Sequence, residues 1–189
     1  MFSSHTKKII LFLSIALGFG IGSSLYYQRT TEQGPIYRFN PARDTKEMMD
    51  IFHKDWYWLL ASDESSPAFM LKHRTYDANP AHFGSMHIKV LREDDGRLAG
   101  FTTYYMETPE QGRILFVAVG RDFRGKGYGK TLALHAMQEL FKLGADHIAL
   151  WTRVSNLPAQ RIYRGLGFVE KFEENGYLFF EYWPYTPAS

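Results

Sequence analysis

The chain has no cysteine. Disulfides, thiolate metal sites and cysteine nucleophiles are therefore excluded. It also lacks charge of one sign: 22 basic against 20 acidic residues leave a formal net charge of +2. A nucleic-acid binder would show a basic stripe, so nucleic acid is not an expected partner. The seven histidines show no ligand spacing. His82 and His87 stand across a loop–strand junction, and no metal site is expected. Internal repeats and low-complexity tracts are missing too.

Uncharged residues are scarce in long runs except at one end. Ile9 to Tyr27 carries no charge, with Lys7 and Lys8 before it and Arg29 after it. As a helix this stretch would reach ~28 Å, the thickness of a bilayer's hydrocarbon core. It is expected to be an uncleaved membrane anchor, with Tyr26 and Tyr27 at the interface. The alternative is a cleaved signal segment with Gly20-Ile21-Gly22 as its cleavage site. The expected division is a polar start at 1–8, the anchor at 9–27, a linker at 28–35 and a globular domain at 36–184.

Within that domain the patterns alternate. A short strand is predicted at Ile36–Phe39. Asp44 or Thr45 then caps a helix through Met48, Ile51 and Phe52, continuing over Asp55–Leu60. Ser62 to Gly84 is polar and Pro-rich and reads as a long loop. Strands His87–Arg92 and Leu98–Met106 flank the turn Asp95-Gly96. Ile114–Val119 is continuously apolar, which predicts a strand buried on both faces. Gly127–Leu143 has helical spacing, and Gly144 ends it. His147–Thr152 is the next strand. Asn156 caps a helix with Pro158 in its first turn and Gly167 past its end. Phe168–Phe172 and Tyr177–Trp183 form a final hairpin around Glu174-Asn175-Gly176. The fold class is α/β (α+β): a mixed sheet with flanking helices, preceded by the N-terminal hydrophobic helix.

The densest stretch runs from Val117 to Thr131, where a strand enters a glycine-rich turn that opens a helix. Such a turn bares backbone N–H groups at a positive helix end, which suits phosphate oxygens. The Walker A pattern fails, because Gly127 stands where its hydroxyl should be. The dinucleotide pattern G-x-G-x-x-G fails at Lys130 and, one frame on, at Leu132. Arg124-x-x-Gly127-x-Gly129 matches the [Q/R]-x-x-G-x-[G/A] signature. Downstream, Asn156-x-x-Ala159-x-x-Ile162-Tyr163 with Gly167-Phe168 matches N-x-x-A-x-x-[LI]-Y-x-x-x-G-F. On these two elements the chain resembles the GNAT superfamily of N-acetyltransferases over roughly Ile36 to Trp183.

The resemblance implies a splayed sheet and acetyl-CoA as co-substrate, with no metal. Its pantetheine arm would lie between the strands 114–119 and 147–152 and meet backbone groups of Val117 and Val119. The backbone of Arg124, Gly125, Lys126, Gly127, Tyr128, Gly129 and Lys130 would hold the diphosphate. Asn156 and Ala159 would line the far side. Tyr163 would be the general acid for the leaving thiolate. A phenol of pKa about 10 facing a thiol of about 8.5 makes that a contribution of only ~10²-fold. Many relatives carry a glutamate in the strand before the turn, but Arg113–Val119 has no acid. Glu107 is the first candidate for the general base and Glu110 the second. Aromatic residues suit the acceptor wall, and Trp56, Tyr57, Tyr104 and Tyr105 are candidates, with Phe52 and Trp58. Glu173 and Glu174 could steer a cationic acceptor. The expected activity is acetyl transfer to a primary amine of a small molecule or protein, by direct attack in a ternary complex. The alternative is a non-catalytic, membrane-tethered acyl-CoA sensor. Because acetyl-CoA is mainly cytosolic, the domain is expected to face the cytoplasm; export after signal cleavage is the alternative.

Overall fold

The computed structural model describes residues 35–59 and 83–184. Seven strands form one sheet in these residues: β1 (Ile36–Arg38), β2 (Phe83–Arg92), β3 (Leu98–Met106), β4 (Gln111–Val119), β5 (His147–Arg153), β6 (Val169–Glu174) and β7 (Tyr177–Tyr182). Their order is β1-β2-β3-β4-β5-β7-β6. Every neighbouring pair is antiparallel except β4 and β5, which are parallel. A parallel pair needs a long crossover, and helix α2 (Tyr128–Lys142) supplies it. Helices α1 (Pro41–Leu59) and α3 (Leu157–Gly165) complete the described elements.

The two faces of the sheet are covered by different helices, and the strand period of two divides the core accordingly. On one face α2 lays Ala133, Ala136, Met137 and Leu140 against Tyr104, Ile114, Ile148, Leu150 and Phe180. On the other, α1 lays Met48, Ile51 and Phe52 against Ile88, Val90, Phe101, Tyr105 and Ala118. Tyr104 and Tyr105 are adjacent in sequence and belong to opposite cores. Phe52 is fully buried, with its ring 5.0 Å from that of Phe101. Truncating it to alanine would cost ~3–5 kcal/mol in transfer and cavity terms.

The first helix does not start where its composition suggests. Asn40 is the cap, accepting from the Ala42 N–H at 3.0 Å, and Pro41 occupies the first helical position. Asp44 instead accepts from the Asn40 N–H (2.7 Å) and pairs with Arg92 of β2 at 2.6 Å. Burial pushes its carboxyl up, but hydrogen bonds from Arg43, Asn40 and Arg92 outweigh this and hold it below the usual range. The expected glycine ends fare better. Gly144 and Gly167 follow their helices at φ +103° and +91°. Asn175 and Gly176 turn the last hairpin at φ 50° and 78°, as a primed turn requires.

Two expectations change. Strand β4 is not buried on both faces: Ile114 and Ala118 are buried, whereas Leu115 is 36% exposed. It is β3 that is covered throughout, with Thr102 satisfied by its bond to the Phe116 carbonyl (2.9 Å). The expected location is also corrected. No helix among the described residues is long and apolar enough to cross a membrane. The N-terminal hydrophobic helix, and most of the predicted loop 62–84, lie outside the described residues.

Candidate active site

β4 and β5 pair only from Gln111–His147 to Ile114–Leu150. At that point β4 carries a bulge: Tyr104 faces Ile114 and Thr103 faces Phe116, which leaves Leu115 extra. A bulge bends the strand that holds it and ends regular pairing. The rest of β4, from Leu115 to Val119, and Trp151 to Arg153 of β5 have no mutual partners. Both segments line a cavity of about 1070 Å³ that opens between them. This is ample for an extended ligand.

At one end of the cavity lies the glycine turn. After a 3-10 turn at Arg121–Phe123, Gly125 and Gly127 take φ of +83° and +85°. Left-handed backbone at two of three positions needs glycine. Helix α2 follows with no side chain capping it. Its first intrahelical bond is Thr131 N–H to Gly127 O at 3.2 Å. The N–H groups of Tyr128, Gly129 and Lys130 precede that bond and have no helical acceptor. These three residues line the cavity. Gly129 serves a different need: a Cβ there would lie 2.9 Å from Ile162 Cδ1, so its absence lets α2 approach α3.

The turn's cations are mostly committed elsewhere. Arg124 pairs with Asp55 at 2.6 Å and donates from Nε to the Val119 carbonyl (3.2 Å). Arg121 pairs with the other oxygen of Asp55 at 3.1 Å. Lys126 pairs with Glu93 at 2.7 Å and does not line the cavity. Lys130 lines the cavity and makes no ion pair among the described residues.

A second wall is α3, which meets the turn where Gly129 packs on Ile162. Asn156 caps it by accepting from the Ala159 N–H at 3.3 Å. Buried Gln160 ties the helix to the end of β5, donating to the carbonyls of Arg153 (3.2 Å) and Val154 (2.6 Å). Asn156, Ala159, Ile162 and Tyr163 all line the cavity. Tyr163 is buried beside Phe168 and Phe180, and that burial pushes its phenol well above the ordinary value. It therefore holds its proton at neutral pH, as a proton donor must.

The cavity thus brings together Val117, Val119, Arg124, Gly125, Gly127, Tyr128, Gly129, Lys130, Asn156, Ala159 and Tyr163. Other sequence candidates are elsewhere. The Glu107 carboxylate is held by Arg113 and by Gln111 Nε2 (2.7 Å), outside the cavity. Glu110 bonds Thr108 on the surface. Tyr104 and Tyr105 are core residues, as is Phe52. Trp56 and Tyr57 are exposed on α1 and do not line the cavity, whereas Trp58 does. Asp55 was missed as a site residue. Its only signal was a carboxylate in an otherwise aromatic segment, and burial was not legible there. Trp151 and Met86 were missed as well, because a strand residue that faces a cavity has the same pattern as one that faces the core.

The protein is similar to acetyltransferases of known name. It is 36% identical over 62 residues to a mycothiol acetyltransferase of Corynebacterium aurimucosum, covering 33% of this chain but only 20% of that protein's length. It is 28% identical over 108 residues to the [ribosomal protein bS18]-alanine N-acetyltransferase of Escherichia coli, covering 57% of this chain and 70% of that one. The fold matches the PaiA N-acetyltransferase of Thermoplasma acidophilum, solved with coenzyme A, with a TM-score of 0.60 at 15% identity, over 79% of this chain and 98% of that one. The sequence model of the acetyltransferase (GNAT) family matches residues 45–168; with the mixed seven-stranded sheet and its parted parallel pair, this chain belongs to the GNAT acetyltransferase family.

Proposed function

We propose that residues 36–184 transfer an acetyl group from acetyl-CoA to a primary amine of a small molecule or protein, by direct attack in a ternary complex. The observation that carries this reading is the cavity itself. It joins the open N–H groups at the start of α2 to the buried Tyr163, between strands that part beside a bulge. The residues fit the donor. Two left-handed glycines and an uncapped helix start offer main-chain donors for a diphosphate. Beyond Ile114 the edge of β4 has no β5 partner and offers main-chain groups of Val117 and the Val119 N–H to an amide-bearing arm, the Val119 carbonyl being taken by Arg124. A donor near Val117 would polarise the thioester carbonyl.

In this reading the amine nitrogen forms the new bond to the acetyl carbon as the carbon–sulfur bond breaks. Tyr163 then gives its proton to the departing sulfur. The raised phenol opposes this transfer, so Tyr163 contributes only as a well-placed donor. Glu107 has little support as base, because Arg113 and Gln111 occupy its carboxylate. Glu174 lies at the cavity rim on the exposed hairpin. It draws the ammonium form in; one proton leaves to solvent there before attack and a second as the amide forms, while a proton from solvent restores the Tyr163 phenol. Trp58 and Trp151 are the better-supported acceptor walls.

The sensor alternative has less support, since the relatives carry acetyltransferase names. The test is incubation of the purified protein with acetyl-CoA and a panel of amines, including peptides with a free N-terminus, while free thiol is followed. Amine-dependent thiol release supports the proposal. Coenzyme binding without release for any amine would return the sensor reading.

A further inference from the structure

Among the described residues that line the cavity, Asp55 is the one buried carboxylate, at 6% exposure. It stands where α1 breaks: its φ of −127° and ψ of 22° are not helical. Its two oxygens go to different arginines of the glycine turn, Oδ2 to Arg124 Nη2 at 2.6 Å and Oδ1 to Arg121 Nε at 3.1 Å. Arg121 also donates to the Lys54 carbonyl, on the same helix. Arg124, in turn, bonds the last carbonyl of β4, at Val119. Three and four residues beyond Asp55, Trp58 and Leu59 line the cavity. A single buried carboxylate therefore joins the helix that bears the acceptor wall to the strand end and turn that would meet the diphosphate.

A charge buried this way is costly unless its partners are held in good geometry. If the turn needed only positive charge, an acid beneath it would weaken the site. Its presence makes sense if orientation matters more than charge. Paired on both oxygens, Asp55 fixes two flexible guanidinium groups and leaves the cluster one net positive charge. Fixing them in advance removes an ordering cost from binding.

We infer that Asp55 is a positioning residue, which presets the diphosphate turn through Arg124 and Arg121 and holds the acceptor wall in the same geometry. This rests on the acetyltransferase reading above, and its test separates the two.

Coenzyme A binding would be measured by calorimetry on the full chain, with thermal unfolding in parallel. The wild type binds if the acetyltransferase reading is right; no binding would overturn that reading and this inference with it. Given wild-type binding, Asp55→Asn is expected to weaken coenzyme A about tenfold. Arg124→Gln should weaken it similarly, and the double variant should be no worse than the weaker single, because both remove one linked arrangement. Unchanged or tighter binding by Asp55→Asn would refute the inference and leave the acetyltransferase reading intact. So would fully additive losses, which a merely structural role predicts. Arg121→Gln covers the case in which Asp55→Asn does not fold. Arg121 does not line the cavity, and its side chain is linked to that of Arg124 through Asp55. A loss of about threefold is expected, and wild-type affinity would refute the clamp.

Discussion

Gly127→Ala probes the amide cradle directly. Gly127 caps α2 at φ +85° and ψ −3°, a left-handed conformation that costs an L-residue ~1–2 kcal/mol. Alanine also loses less backbone freedom on folding, which offsets ~0.4–1 kcal/mol of that. The net destabilisation is then about 1 kcal/mol, or a fall in Tm of about 2–4 °C for a chain of this size. To escape the strain the turn would shift, and with it the N–H groups of Tyr128 to Lys130. Each bond from such a group to a charged oxygen is worth ~1.5–3 kcal/mol. Losing one would weaken coenzyme A about 10- to 100-fold. The control is Gly96→Ala. Gly96 has nearly the same φ, +84°, with nothing within 4 Å of its added Cβ, and it turns the β2–β3 hairpin away from the cavity. It should lose the same Tm and keep full affinity. Scanning calorimetry and titration calorimetry give both readouts. If Gly127→Ala matched Gly96→Ala in both, the main-chain groups of this turn would not be holding the coenzyme.

Tyr163→Phe should lower kcat by up to ~10²-fold and leave coenzyme affinity nearly unchanged; the reverse pattern in steady-state kinetics and titration would remove Tyr163 from the acid role. Glu107→Gln should leave kcat unchanged within about twofold, because that carboxylate serves Arg113 outside the cavity, and a large fall would restore it as base. Burial raises the Tyr163 phenol in the folded state, so the folded chain binds more protons than the unfolded one above the ordinary tyrosine range. Its contribution to stability is complete below about pH 10 and is lost as pH rises further; Tyr163→Phe should flatten that alkaline decline in urea titrations, and an unaltered slope would refute it. Arg92→Met leaves the buried Asp44 without its β2 partner and should cost ~3–5 kcal/mol, read as a large fall in Tm; a change under about 1 kcal/mol would mean that Arg43 and the Asn40 N–H satisfy Asp44 without it.

Much of the fold was legible because it rests on local physics. The strand and helix periods, the Asn156 cap and the glycines at 144, 167 and 176 each depend on a few neighbouring residues. Start points were less clear. Asp44 had the composition of a cap, yet its carboxylate is drawn to Arg92, 48 residues away, and Asn40 caps instead. In the site, the turn and Asn156–Tyr163 were legible through two spaced motifs. The aromatic candidates were not, because the residue type gives hydrophobic area but not its direction. Tyr104 and Tyr105 went to the two cores, and Trp58 rather than Trp56 or Tyr57 reached the cavity.

What the amino-acid order determined alone was the set of elements among the described residues and the backbone freedom of the turn: glycine spacing dictates where left-handed conformations are affordable, whatever surrounds them. Tertiary structure decided which charges remain available. Arg124 and Lys126 are each taken by a partner that only folding brings close: Asp55, 69 residues away, and Glu93, 33 residues away. An ion pair depends on distance in space, and these separations are set by sheet register and helix packing, not by any spacing along the chain.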